Sequence, residues 1–307
     1  MRILVVGAGA TGGYFGGRLA EAGRDVTFLV RPKRAAQLRA DGLQILSPHG
    51  DVTLQPQLVT VDQITAPYDA VLLTVKAFAL EAALADLATA VGPQTMIVPV
   101  LNGMRHLDAL IARFGEAAVL GGVCLVATTL DPQGRIKQLA EFQQLIYGER
   151  DGPVSARVQA LDAAVQGAGF VARASGTIMQ EMWEKWILLA TMGSITCLLR
   201  GTVGDIEAAP GGAGLALEVL GECVAVATQS GYPPGEAYLT RTRASVTAKG
   251  SSSAPSMYRD LSQGLPVEAD QIVGDMLARA RGFGIAAPIL TAAYASLSIY
   301  SRRVAGG

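Results

Sequence analysis

Apolar positions along the first part of the chain fall in short β-branched runs separated by helix-spaced stretches, and further on only the helical spacing remains. "RILVV" (2–6), "DVTFLV" (25–30), "DAVLLTV" (69–75), "TMIVPV" (95–100) and "AVLGGVCLVAT" (118–128) have strand length and strand composition. Helices are predicted over Thr11–Ala22, Lys33–Asp41 and Phe78–Ala90. Parallel neighbours need a crossover, usually a helix, so this alternation predicts βαβ units and a parallel sheet. "RIKQLAEFQQLIYGE" (135–149) predicts an antiparallel hairpin that extends or caps the sheet, followed by a helix in "PVSARVQALDAAVQGAG" (153–169) and a last strand in "FVARAS" (170–175).

From Ile178 the strand signal fades, and helices are predicted near 178–199, 213–230, 235–249, 256–263, 267–282 and 289–302. "GTVGDIEAAPGG", "GYPPGE", "KGSSSAPS", "QGLP" and "GFGIAAP" separate them, each rich in helix breakers. The expected class is therefore α/β: a Rossmann-type parallel sheet domain over 1–174, then an all-helical domain over 175–307, with the boundary near Ser175-Gly176. A cleft between such halves is the default place for a ligand.

"GAGATGG" follows the first strand directly and opens the first helix, which lifts its G-x-G-x-x-G spacing above chance in a protein with 36 glycines. Gly7 permits a tight turn, Gly9 lets backbone approach a pyrophosphate, and Gly12 lets helix pack on strand. The segment Gly7, Ala8, Gly9, Ala10, Thr11, Gly12 is thus the expected phosphate-binding turn, with N–H groups of the helix start facing the anion. The second strand ends at Arg31, where an acid would bind the ribose hydroxyl of NAD. An arginine there, with Lys33 and Arg34 close by, suits the 2′-phosphate of NADP. A solvated basic start to a surface helix is the plain alternative.

Lys76 and Asn102 follow the third and fourth of these strands, at the carboxyl edge where open parallel sheets bind ligands. Each alone also reads as an ordinary loop residue. Glu181, Lys185, Leu189 and Gly193 are four apart and share one helical face. Trp183 and Trp186 argue that much of this helix is buried. Lys185 therefore either snorkels to water beside Glu181 or points into a cleft that uses its charge.

Composition narrows the partners. With 25 basic and 26 acidic residues and no basic block, nothing favours nucleic acid. "MRILVVGAGATGG" has too short an apolar run for a signal peptide, and the run after Lys185 is too short and too polar for a lipid span, so a cytoplasmic protein without membrane contact is expected. Cys124, Cys197 and Cys223 show no metal or redox spacing and are expected to be core residues; no metal site is anticipated. His49 and His106 receive no role. The long apolar helices of the second half are compatible with a homodimer.

"GAGATGG", "VKA" (75–77), "LNGM" (101–104), "MWEKW" (182–186) and "SMYRDLSQGLPVEAD" (256–270) together resemble the ketopantoate reductase (2-dehydropantoate 2-reductase) family in order and approximate spacing, over essentially the whole chain. The resemblance implies a catalytic Lys185 with Glu268 working beside it. It also implies that Asn102 contacts substrate and nicotinamide, that Ser256 contacts the substrate carboxylate, and that Lys76 is a further active-site cation. By residue type alone, Ser256 and Glu268 would be a helix cap and a first-turn acid. The implied reaction is reduction of a 2-oxo acid by NADPH, with ketopantoate the leading substrate.

The sequence departs from the family pattern at Leu189 and Gly193, where asparagines are usual one and two turns after the lysine. A more apolar and roomier wall is expected there, which admits a bulkier 2-oxo acid or ketone. An NADP-binding regulator with little catalysis is the alternative of another class.

Overall fold

A computed structural model describes residues 1–306. The chain forms two compact units: Met1–Leu101 with His106–Met179, and Asn102–Arg105 with the residues from Gln180 onward.

In chain order the first unit begins β1 (Ile3–Val6), α1 (Ala10–Glu21), β2 (Val26–Leu29), α2 (Pro32–Asp41), β3 (Leu43–Leu46), β4 (Val52–Leu54), β5 (Gln57–Val59) and β6 (Ala70–Leu73). It continues with α3 (Leu80–Asp86), β7 (Met96–Pro99), α4 (Arg105–Phe114), β8 (Gly121–Leu130), β9 (Ile136–Gly148), α5 (Ala156–Val165) and β10 (Val171–Ala174). One sheet has the order β5-β2-β1-β6-β7 and every pairing in it is parallel. Its central strands are buried along their whole length, as expected of strands covered on both faces.

The stretch at 135–149, expected to form a hairpin by itself, is instead the single long strand β9. β8 and β9 pair antiparallel, but they build a second sheet, β10-β9-β3-β4 with β8 on the other side of β9, and do not extend the first. The run at 118–128 is thus a hairpin arm, although Leu120 N–H still donates to Ile97 O of β7 at 2.9 Å. The short strands β3, β4 and β5 were not anticipated, nor was α4. The first two are half-polar and three or four residues long, too short to show a period.

The second unit is helical: α6 (Ile178–Leu199), α7 (Val203–Ala208), α8 (Gly212–Gln229), α9 (Glu236–Val246), α10 (Ser256–Ser262), α11 (Asp275–Gly282) and α12 (Pro288–Ala305). α6 begins in the first unit and continues into the second. α7 lies inside a stretch read as a breaker. A capping box starts it, with Thr202 accepting from Asp205 N–H and the Asp205 carboxylate accepting from Thr202 N–H. A π-helical turn, Asp270–Gly274, leads into α11. No helix among the described residues is long and apolar enough to cross a membrane.

Candidate active site

The glycine turn sits between β1 and α1. Gly7 has φ +94°, a left-handed conformation that a side chain disfavours, and its N–H donates to Leu29 O at 3.1 Å. A Cβ at Gly9 would meet nothing within 4 Å. At Gly12 it would collide with Gly7 O and Thr74 Oγ1. Thr74 fixes the turn from β6, its hydroxyl donating to Val6 O at 2.8 Å and reaching Gly7 O at 3.1 Å. Gly9 caps α1 without a side chain, so no side-chain cap takes up the first-turn N–H groups of Ala10, Thr11 and Gly12. The residues fit a pyrophosphate: open where it would approach, closed where helix meets strand.

Arg31 is the N-cap of α2, and both it and Lys33 are exposed. Arg34 is committed elsewhere. Its Nε donates to Ala8 O at 3.2 Å and its two terminal nitrogens to Gln37 Oε1 at 2.7 Å and Gly134 O at 3.1 Å. Sequence reasoning had Arg34 only as a nearby cation, whereas it braces the glycine turn against the β8–β9 hairpin. Lys76 is exposed just beyond β6.

In the second unit, residues distant in sequence converge. Half-buried Asn102 donates from Nδ2 to Glu268 Oε2 at 3.3 Å across 166 residues. Glu268 is 8% exposed, which sets it apart from a solvated first-turn acid; its carbonyl accepts from Ile272 N–H and so opens the helical stretch that follows. Gly103, with φ +78°, lies so close to Gln271 O that a Cβ would overlap it, and this close approach holds Asn102 over the glutamate's segment.

Lys185 is half-buried on α6, beside Trp186, which is 1% exposed. Ser256 is half-buried and is the first residue of α10; Pro255 takes the cap position, so Ser256 is not the capping serine its residue type suggested. Two turns after Lys185, Gly193 meets the next residue of α10. The terminal methyl of Met257 occupies the place a Cβ at Gly193 would need, with Ile272 Cγ2 4.0 Å from that place. The wall expected to be roomier is therefore already filled: Gly193 removes a side chain and Met257, 2% exposed, takes the space. It is apolar, as expected, and half-buried Leu189 one turn earlier continues it. Nothing local in the sequence pairs Met257 with Gly193.

The cysteines offer no competing chemistry. Cys197 and Cys223 are buried, and burial pushes both thiols up to about 12, far from the thiolate form that reacts. Half-buried Cys124 on β8 lies 3.6 Å from Val100 O.

Comparison with known proteins adds the context for this geometry. The family described as "Ketopantoate reductase PanE/ApbA" matches residues 3–152, and its counterpart "Ketopantoate reductase PanE/ApbA C terminal" matches residues 177–301. The chain is 36% identical to an uncharacterized oxidoreductase, YkpB, of Bacillus subtilis (strain 168), covering 98% of this chain and 99% of the relative. It superposes with a TM-score of 0.87 and 29% identity on the crystal structure of 2-dehydropantoate 2-reductase from Methylococcus capsulatus, covering 99% of this chain and 98% of that one. A ternary structure of D-mandelate dehydrogenase with NADH and anilino(oxo)acetate shares the fold with a TM-score of 0.88 at 20% identity, covering 99% of this chain and 100% of that one.

Proposed function

This chain belongs to the ketopantoate reductase family of oxidoreductases, and from that premise we propose that it reduces a 2-oxo acid to the 2-hydroxy acid at the expense of NADPH. The observation that carries the reading is the hydrogen bond of half-buried Asn102 to buried Glu268, in the unit whose longest helix presents Lys185. A reduced nicotinamide, when bound, supplies the hydride. The chain's own residues manage charge and orientation. Lys185 stabilises the developing alkoxide and delivers its proton, Glu268 orients the ammonium, and Asn102 fixes the carbonyl face. Ser256 binds the carboxylate, and Lys76 favours an anionic substrate. The glycine turn from Gly7 to Gly12 holds the pyrophosphate on the α1 N-terminus.

The preference for NADPH rests on Arg31 and Lys33, exposed cations at the end of β2 where an acid is absent. Arg31→Ala is expected to raise the NADPH Michaelis constant roughly tenfold, the value of a charged hydrogen bond partly screened by water, while leaving that for NADH unchanged. An undiminished preference for NADPH in the variant would remove Arg31 from this role.

Ketopantoate is the first substrate of this reading, supported by the similarity to the Methylococcus capsulatus reductase. The wall of Leu189, Gly193 and Met257 favours a second: a 2-oxo acid whose substituent is apolar and carries no hydrogen-bonding groups, of which phenylglyoxylate is an accessible example. An amide-free wall offers nothing to a hydroxyl on the substrate and leaves no amide unsatisfied beside an apolar one. NADPH oxidation measured against both acids separates the readings by kcat/KM. Gly193→Asn forces the flexible Met257 methyl aside and restores an amide, so the ratio is expected to move about tenfold toward ketopantoate. Binding of NADPH with no turnover of any 2-oxo acid would sink the enzymatic reading and leave a regulatory one.

A further inference from the structure

Trp186 is the residue after the proposed proton donor, and its indole leaves α6 to reach the segment that carries Glu268. Its Nε1–H donates to Ile272 O at 2.9 Å. Ile272 lies inside the π-helical turn Asp270–Gly274, where Asp275 N–H bonds back five residues to Asp270 O. A π turn widens the helix and redirects its carbonyls, and such turns gather at functional sites. An indole at 1% exposure must place its one donor somewhere, and it is placed on this irregular carbonyl.

A second contact repeats the connection. The guanidinium carbon of Arg279, on α11 directly after the π turn, lies 5.4 Å from the Trp186 ring centroid and 5.5 Å from that of Trp183. Arg279 is itself held by Asp275 at 3.3 Å. The Glu268 side of the turn meets the close approach of Gly103 to Gln271 O and the amide of Asn102. The segment between Glu268 and α11 is thus held at Glu268 and Gln271 by Asn102-Gly103 and at the neighbouring Ile272 by Trp186.

We infer that Trp186 is a positioning residue: its indole N–H locks the π turn to α6 and thereby sets the placement of Glu268 relative to Lys185. The inference rests on the Lys185–Glu268 reading above. Packing alone does not require the donor, since phenylalanine would fill much of the same space; the placement of the glutamate does.

The test compares Trp186→Phe with Trp183→Phe, whose ring stacks on Tyr232 with centroids 5.6 Å apart. Both variants lose one buried indole and both are expected to melt earlier. Only Trp186→Phe is expected to lose kcat, by about 10- to 100-fold, with the NADPH Michaelis constant unchanged, measured with whichever of ketopantoate and phenylglyoxylate is reduced faster. Amide exchange over residues 268–274 supplies a readout that needs no substrate, and it is expected to speed up in Trp186→Phe alone. Equal effects of the two variants on kcat, or unchanged exchange in 268–274, would overturn the inference as mere packing. Lys185→Ala in the same series separates the two levels. If it is inactive while Trp186→Phe turns over normally, the positioning role falls alone; if it stays active, the reading of the site falls and takes the positioning role with it.

Discussion

Lys185→Ala is expected to lower kcat by about 10²- to 10⁴-fold, the range removed with a positioned general acid, while NADPH still binds with its original affinity. In the proposed reaction the ketone is neutral, and negative charge appears on its oxygen only as hydride arrives, so an ammonium aimed there would act mainly on the transition state. The proposed phosphate-binding turn belongs to the other unit, with Gly7, Gly9 and Gly12 at β1 and α1. Lys185 is only half-buried, and its neighbours Trp183 and Trp186 carry the packing of this end of α6. The variant therefore keeps its fold, and circular dichroism with NADPH titration establishes that before rates are compared. Near-normal turnover in a folded Lys185→Ala protein would remove the lysine from the chemistry. A parallel rise in the Michaelis constant with kcat preserved would make it a binding residue instead.

The contrast between the two units in what their sequence reveals is physical. α6, α8 and α12 lie where helical spacing and the intervening breakers place them, because helices of 18 to 22 residues carry several turns of signal, and the short α10 is set by the breakers on either side of it. β1, β2, β6 and β7 are equally legible as fully buried apolar runs. The second sheet is not. Its strands β3 and β4 are too short to show a period, and the long β8 and β9 are legible as strands without any signal that says which sheet they join. α7 was hidden because Gly, Pro and Ala around it read as breakers, although Thr202 and Asp205 already carried its capping box.

The candidate site divides along the same line. The glycine turn is local: three glycines within six residues, each with a separate geometric task, are visible once strand and helix flank them. The Asn102–Glu268 pair is not local. No spacing rule links residues 166 apart, and the motif resemblance supplied what periodicity could not. Trp186 was legible only as buried, since the π turn that offers it Ile272 O has no sequence signature. Leu189 and Gly193 were visible as departures, but the occupant of the vacated space, Met257, depends on how α10 meets α6.

Gly12→Ala is expected to cause the largest loss of stability of any change in the glycine turn, and Gly9→Ala almost none. A Cβ at Gly12 would overlap Gly7 O and the Thr74 hydroxyl, one a backbone atom and the other fixed by its own hydrogen bonds to Val6 O and Gly7 O. Neither can move without separating α1 from β1 or breaking the turn, so overpacking on the order of 3 kcal/mol is expected, with a melting temperature lower by several degrees. At Gly9 a Cβ meets no protein atom within 4 Å, and the backbone at φ −82° accepts alanine without strain. That methyl would project into the space a pyrophosphate needs. Gly9→Ala is therefore expected to melt with the wild type yet bind NADPH at least tenfold more weakly, while Gly12→Ala loses stability first and binding as a consequence. Paired melting curves and NADPH titrations read the difference. If Gly9→Ala bound NADPH normally, the open side of the turn would not be where the phosphates lie, and the cofactor assignment would have to be rebuilt from Arg31 and Lys33 alone.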